Sequence, residues 1–317
     1  CYGEGKLLAA RRSAREHGSN LKNCWFYSDS SADLPLLRKV GNPVAVNPSD
    51  KLGAHARSAN WPQLQFSTRG MPKLEHIART TLTLQTVLAT SGIGLLGKRL
   101  GLDSYRSANQ LVKLLGDVGS SFAGLDFEID GAENLRRERP AIFVFNHQSL
   151  LDAMVLSHLL REDVVALCKK EMANNPIVGP LLRQADTIFV DRSEKDQADV
   201  LKRARDVLAS GRSLVIAPEG TRSTLGDIQP FKHGAFFLAR KAGVPIVPII
   251  LHNAKDALPK GGMVVRPATI RVTVLDPVQP ASIRSVRQAC SELEERYVEL
   301  LGKSALAALP YDASAIA

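Results

Sequence analysis

A histidine and an aspartate five residues apart, His147 and Asp152, carry the first chemistry legible in the chain. The histidine follows an apolar run, Ile142-Phe143-Val144-Phe145, and Asn146; the aspartate opens a helical pattern over 150–160. A strand mouth that opens into a helix is where α/β enzymes place reactive groups. A histidine there is a candidate general base, and a nearby carboxylate can fix its tautomer and stabilise its charged form. Within one helix a five-residue step turns by roughly 500°, so the two side chains would point apart. They meet only if His147 lies in the turn and Asp152 in the first helical turn. The same letters also read as a capping box, Ser149-x-x-Asp152, in which the aspartate closes a helix N-terminus.

Three more stretches place polar groups after apolar runs. Thr187-Ile188-Phe189-Val190 leads to Asp191-Arg192-Ser193, and Leu214-Val215-Ile216-Ala217 leads to Pro218-Glu219-Gly220-Thr221-Arg222-Ser223. Phe231-Lys232-His233-Gly234 precedes a helix. Arg192, Arg222 and Lys232 suit a phosphate, because a guanidinium can grip one with two parallel bonds. Gly220 lets a ligand approach the backbone, Thr221 offers a hydroxyl, and Glu219 can orient Arg222 or bind a substrate hydroxyl. Taken singly, each also reads as a surface ion pair, a turn glycine or a cap.

The elements that must position these groups alternate. Strand patterns fall at 127–129, 141–145, 164–168, 187–190, 213–217, 244–251 and 269–275, with helical patterns at 150–160, 194–209, 234–242 and 282–301. Alternation of this kind predicts an α/β layered domain over 119–304 with a largely parallel or mixed sheet. Residues 305–317 read as a frayed tail. Ahead of the domain lies a helical segment, 68–118. Its 18 residues 80–97 carry no charge and are flanked by Arg79 and by Lys98-Arg99. Its threonines and glycines make a spanning helix unlike, so the expectation is a helix pair lying in one leaflet with basic ends at the headgroups; an ordinary hairpin packed on the next domain is the alternative.

Composition narrows the partners. With 317 residues, 44% hydrophobic and 23% charged, the chain is an ordinary globular one. A net charge of +9 points to an anionic partner, while 5% aromatics and no interleaved basic run argue against nucleic acid. Four scattered cysteines, Cys1, Cys24, Cys168 and Cys290, suggest neither zinc nor a disulfide framework. The opening at Cys1 reads like the middle of a domain, so a fragment of a longer protein is expected.

In order, these motifs resemble those of the glycerolipid acyltransferase family, which includes 1-acylglycerol-3-phosphate acyltransferase. Asn146-His147-Gln148-Ser149-Leu150-Leu151-Asp152 matches the family's first motif, Ile188-Phe189-Val190-Asp191-Arg192 the second, Pro218-Glu219-Gly220-Thr221-Arg222-Ser223 the third and Val244-Pro245-Ile246-Val247-Pro248 the fourth. The resemblance implies acyl transfer from acyl-CoA or acyl-carrier protein to the hydroxyl of 1-acylglycerol 3-phosphate, without a cofactor. It implies His147 as base, Asp152 as its orienting partner, and a substrate site drawn from Asn146, Ser149, Arg192, Glu219, Gly220, Thr221, Arg222 and Lys232. Backbone N–H groups after His147 are expected to hold the oxyanion. Glycerol 3-phosphate or another lysophospholipid is the alternative acceptor. The 68–118 segment, with its basic flanks, is expected to hold the chain as a peripheral or monotopic protein on the cytoplasmic face of the cell membrane.

Residues 1–67 resemble a different family, the C-terminal part of haloacid-dehalogenase-type phosphatases. Tyr27-Ser28-Asp29-Ser30-Ser31-Ala32-Asp33 looks like its last acidic motif, which implies Asp29 as a Mg²⁺ ligand in an intact domain and Lys6 as a phosphate-facing lysine. The family's Asp-x-Asp nucleophile motif is not in the chain, so this part by itself is not expected to be a phosphatase. The pairing of the two parts resembles bacterial bifunctional fusions. It leaves a further alternative, a phosphoserine-type phosphatase whose catalytic half lies upstream, with the acyltransferase-like domain as its anchor.

Overall fold

The computed structural model describes residues 4–64, 72–191, 194–222 and 228–307. They group into two compact units, Cys1–Met71 and Pro72–Ala317.

The first unit runs α1 (Glu4–Glu16), β1 (Trp25–Ser28), α2 (Leu34–Leu37), β2 (Asn42–Val46), α3 (Asp50–Ser58) and β3 (Gln63–Leu64). Its strands pair in parallel in the order β1-β2-β3. Leu37, Ala45, Leu52 and Ala56 form a small core. Lys6 reaches the buried Asp33, with Nζ 2.7 Å from Oδ1, and the Ser28 hydroxyl donates to the same carboxylate at 2.7 Å. Burial alone would raise the Asp33 pKa; the hydrogen bonds from Lys6 and Ser28 outweigh it and hold the carboxyl below its usual range. Asp29 is exposed, and its carbonyl accepts from Ser49 N–H at 3.0 Å. The lysine therefore neutralises Asp33 instead of facing outward, and a single exposed carboxylate at Asp29 does not make the oxygen-rich set magnesium needs. The residues present do not fit a magnesium site. Among the described residues no group of three or more His, Cys, Asp or Glu side chains gathers as a metal site would require.

The second unit begins with α4 (Leu74–Arg99) and α5 (Ser104–Leu114), which continues through a π-helical turn, Leu115–Gly119, into α6 (Ser120–Ala123). That helix runs past residue 118 and stops at Gly124, whose φ of 71° ends it in the left-handed conformation. Then follow β4 (Leu125–Asp130), α7 (Asn134–Arg137), β5 (Ile142–Phe145), α8 (Asp152–Leu160), β6 (Val164–Lys169), α9 (Gly179–Gln184), β7 (Ile188–Val190) and α10 (Glu194–Ala209). The chain closes with β8 (Ser213–Ile216), α11 (Gly234–Ala242), β9 (Ile246–Leu251), α12 (Ala254–Ala257), β10 (Ala268–Val274) and α13 (Val286–Ala307).

These strands form one seven-stranded sheet, β4-β10-β9-β5-β8-β6-β7. It is mixed. β5 to β9 are mutually parallel, β10 turns back antiparallel to β9, and β4 pairs in parallel with β10. The link from β9 to β10 carries only the single turn of α12, not the long crossover helix that a parallel return uses. β5 lies near the middle, and its alternation sorts the core. Phe143 and Phe145 face a cluster with Leu151 just before α8, Met154 and Val155 of α8, Leu111 of α5 and Val87 of α4. Ile142 and Val144 face a second cluster with Val207 of α10, Phe236 of α11 and Tyr297 of α13. Helices on both faces explain why this strand reads as an unbroken apolar run.

The turn that opens β6 fixes α5 in place. Asn109 donates to Asp163 Oδ1 at 2.7 Å and accepts from the Asp163 N–H at 2.9 Å. The π turn lies against α8 at Gly116, where a Cβ would stand 2.5 Å from the backbone nitrogen of His158. Backbone cannot yield there as a side chain would. Gly116→Ala is expected to push the α5–α6 helix off α8 and cost about 1–3 kcal/mol. Urea unfolding measures it, and an unchanged midpoint would contradict this packing.

Candidate active site

β5 delivers the site because it ends where α8 begins. Asn146, first after the strand, is buried, and its side-chain amide imitates a strand residue. Nδ2 donates to the Leu251 carbonyl and Oδ1 accepts the Leu251 N–H, both at 2.8 Å. Gln148 donates to the same carbonyl at 2.8 Å. The Ser149 hydroxyl donates to the Leu258 carbonyl at 2.7 Å and accepts from Leu151 N–H at 3.1 Å. Three side chains thus staple the turn to the end of β9 and to the segment after α12.

Inside that turn, one oxygen gathers the site. Oδ2 of Asp152 accepts from His147 Nδ1 at 2.7 Å, from Gln148 N–H at 2.8 Å and from Ser149 N–H at 2.9 Å. Asp152 is 0% exposed. A carboxylate offers only acceptors, so the shared proton lies on Nδ1 of His147 and the neutral ring keeps its lone pair on Nε2. The His147 side chain is 29% exposed, so the ring is partly open to a reactant. The capping-box reading is met only by half: Ser149 N–H binds Asp152, but the Ser149 hydroxyl accepts from Leu151 N–H instead of Asp152 N–H, and α8 starts after Leu151 with no side-chain cap.

The peptide of His147 is held from the other side. Its N–H donates to Oε1 of Glu219 at 2.8 Å, while Oε2 of Glu219 accepts from Gln229 N–H at 2.9 Å. Glu219 is buried; this burial pushes its carboxyl above the usual range, against the pull of the two N–H donors. Gly220 follows with φ 65°, and a Cβ on it would stand 2.6 Å from Nζ of Lys232. The exposed Lys232 side chain lies across that glycine, and its own N–H donates to the Pro218 carbonyl at 3.0 Å. Thr221 is exposed, Arg222 half-buried, and the Arg222 carbonyl accepts from Lys260 at 2.9 Å.

Several expectations change. Asn146, Ser149 and Glu219 were expected to bind substrate; their polar atoms instead hold the turn, because each is buried against backbone partners. The N–H groups of Gln148 and Ser149 are spent on Asp152 and that of Leu151 on Ser149, so these donors are not open to an oxyanion. At Gly220 it is the Lys232 ammonium that makes the close approach. Arg192 lies outside the described residues. Gln148 was missed as a staple; a long amide between a strand end and a helix start is the signal that could have found it.

Removing the shared acceptor strands three donors in a buried place. Asp152→Ala is expected to cost on the order of 2–4 kcal/mol, whereas Asp152→Asn keeps an oxygen at the Oδ2 position and should cost clearly less. Urea melts of both variants measure the difference, and equal losses would contradict the shared-acceptor geometry.

Comparison with known proteins gives the likenesses of the chain as a whole. Residues 126–252 match the family described as Acyltransferase. The chain is 34% identical over 281 residues to 1-acyl-sn-glycerol-3-phosphate acyltransferase BAT2, chloroplastic, of Brassica napus, with 86% of this chain and 79% of that protein covered. It is 35% identical over 165 residues to the 1-acyl-sn-glycerol-3-phosphate acyltransferase of Saccharomyces cerevisiae, covering 50% of this chain and spanning only 54% of the yeast protein's length. The crystal structure of the 1-acyl-sn-glycerophosphate (LPA) acyltransferase, PlsC, from Thermotoga maritima superposes with a TM-score of 0.63 at 23% identity, covering 75% of this chain and 97% of that one. At that identity the likeness is one of fold.

Proposed function

This chain belongs to the family of 1-acyl-sn-glycerol-3-phosphate acyltransferases, and on that premise we propose that it acylates the free hydroxyl of 1-acylglycerol 3-phosphate to give phosphatidic acid. The observation that carries the reading is the His147–Asp152 pair, oriented through Nδ1 with Nε2 left to act. Nε2 takes the proton of the acceptor hydroxyl as that oxygen attacks the carbonyl of an acyl thioester, acyl-CoA or acyl-carrier protein. The tetrahedral intermediate collapses, the carbon–sulfur bond breaks, and the imidazolium returns its proton to the leaving thiolate. Asp152 stabilises the imidazolium between these steps. No covalent enzyme intermediate is involved. Lys232, over Gly220, and Arg222 are the cations that would hold the acceptor phosphate, with Arg192 joining them by its place in the second motif.

Turnover tests this directly. His147→Ala should lower acyl transfer by about 10²–10⁴-fold with folding intact, and Asp152→Asn should fall steeply too, since an amide cannot stabilise an imidazolium. The assay is lipid product from 1-acylglycerol 3-phosphate and a thioester donor. A His147→Ala variant within tenfold of the parent would end this reading.

The proposed place of action is a membrane surface, on its cytoplasmic face and without spanning. Among the described residues no helix is long and apolar enough to cross. α4 has its polarity reversed. Thr83, Thr86, Thr90, Ser91, Gly94 and Gly97 are buried against the domain, while Leu84, Leu88, Ile93, Leu95 and Leu96 are exposed by 40–58%. Water does not favour such a face, and a leaflet does; Lys98 and Arg99 at its end suit anionic headgroups. Leu88→Glu with Leu95→Glu should weaken co-sedimentation with phosphatidylglycerol vesicles at least tenfold without lowering the melting temperature. Undiminished vesicle binding would place the contact elsewhere.

A further inference from the structure

The helix after the sheet, α13, lies beyond the residues that match the Acyltransferase family, yet it reaches both halves of the site. Three of its residues, Cys290, Glu294 and Tyr297, sit at a spacing that shares one helix face. All three converge on Phe231, the residue before Lys232. Oε2 of Glu294 accepts the Phe231 N–H at 2.7 Å. The Cys290 thiol donates to the Phe231 carbonyl at 3.6 Å. The Tyr297 ring meets the Phe231 ring edge to face, with centroids 5.2 Å apart at 80°. Phe231 is thereby fixed at its N–H, its carbonyl and its ring.

Tyr297 has a second task. It is 0% exposed, and its hydroxyl donates to the Val144 carbonyl at 2.7 Å, with the Ile249 carbonyl at 3.2 Å. Val144 belongs to the strand that delivers His147. One face of α13 therefore touches the strand under the base and the residue next to the cation. A ring closes through the other side, since His147 N–H binds Glu219, Glu219 adjoins Gly220, and Lys232 lies over Gly220.

We propose that α13 is the positioning element of the phosphate site, with Glu294 as the positioning residue that sets Lys232 through the Phe231 backbone, at a place fixed relative to His147 by Tyr297. This rests on Lys232 being a phosphate-holding cation, as in the proposed function. A carboxylate accepting from a backbone N–H gives a shorter and stronger bond than an amide or hydroxyl would, which suits a group that must hold a mobile lysine's anchor still. Glu294 touches neither reacting group, so its loss should blur the phosphate's place and leave the proton transfer intact.

The experiment is a comparison of Glu294→Ala, Glu294→Gln and Lys232→Ala in the full chain. For Glu294→Ala, KM for 1-acylglycerol 3-phosphate should rise about tenfold, equivalent to about 1.4 kcal/mol, with kcat within threefold and KM for the thioester donor unchanged. Glu294→Gln keeps an acceptor and should recover most of the loss. In a Lys232→Ala background, Glu294→Ala should add little, because the two changes act on one interaction. Glu294→Asp, which falls short of Phe231 by one methylene, serves if the alanine variant does not fold. Calorimetric binding of glycerol 3-phosphate reads the same tenfold loss without turnover. If Glu294-dependent binding persists in a protein that transfers no acyl group, the acyl-transfer reading fails and this one stands. Equal KM values for the parent and a folded Glu294→Ala variant, or a loss that adds in full to that of Lys232→Ala, would overturn it.

Discussion

Oδ2 of Asp152 is a single acceptor serving three donors, and the local architecture follows from that demand. A buried carboxylate is costly unless its lone pairs are used. Here the compensation comes from the imidazole and from two successive peptide N–H groups, which bind it only if the chain turns sharply after β5. Asn146, Gln148 and Ser149 hold that turn by bonding outward to β9 and beyond. The orientation of the histidine and the start of α8 are then one event. A change that relaxes the turn also releases the base, so stability and chemistry share these bonds.

A second constraint is the separation between the base and the cations. The His147 peptide and the Gln229 peptide hang on opposite oxygens of Glu219, a buried group that prefers its neutral form more than an ordinary glutamate does. The loop carrying Lys232 is thereby tied to the turn carrying His147 from inside the protein, with α13 closing the far side. Rigid strand ends and buried bridges suit a reaction in which two substrates must meet in one geometry.

Much of this was legible in sequence because it is local. The apolar run of β5, the five-residue step from His147 to Asp152, and the alternation of strands and helices are short-range patterns, and the sheet uses them with boundaries shifted by a few residues. What could not be read depends on partners far along the chain. Asn146 finds Leu251 after 105 residues and Ser149 finds Leu258 after 109, so nothing near either residue announces a structural duty. Glu294 meets Phe231 across 63 residues from a helix with no motif of its own. The return of β10 against β9 is likewise a matter of how the chain closes. α4 is instructive in another way. The uncharged stretch announces the helix but not which face turns inward: the structure buries Val87 with threonines, serine and glycines and leaves the leucines outside.

That reversal has a thermodynamic consequence. Apart from Val87, α4 meets its own domain mainly through small and hydroxylated side chains, which give little free energy on leaving water, while its half-exposed leucines gain less from folding than buried ones do. A surface that fits the face these groups form on the folded helix stabilises the fold to the extent that it prefers the folded chain over the unfolded one. For a surface that binds the folded chain alone, that contribution is about 2.7 kcal/mol at a hundred times its dissociation constant. On the proposed membrane, fold stability would then belong to the chain together with the surface it rests on, and melting temperatures would compare only at equal lipid concentration.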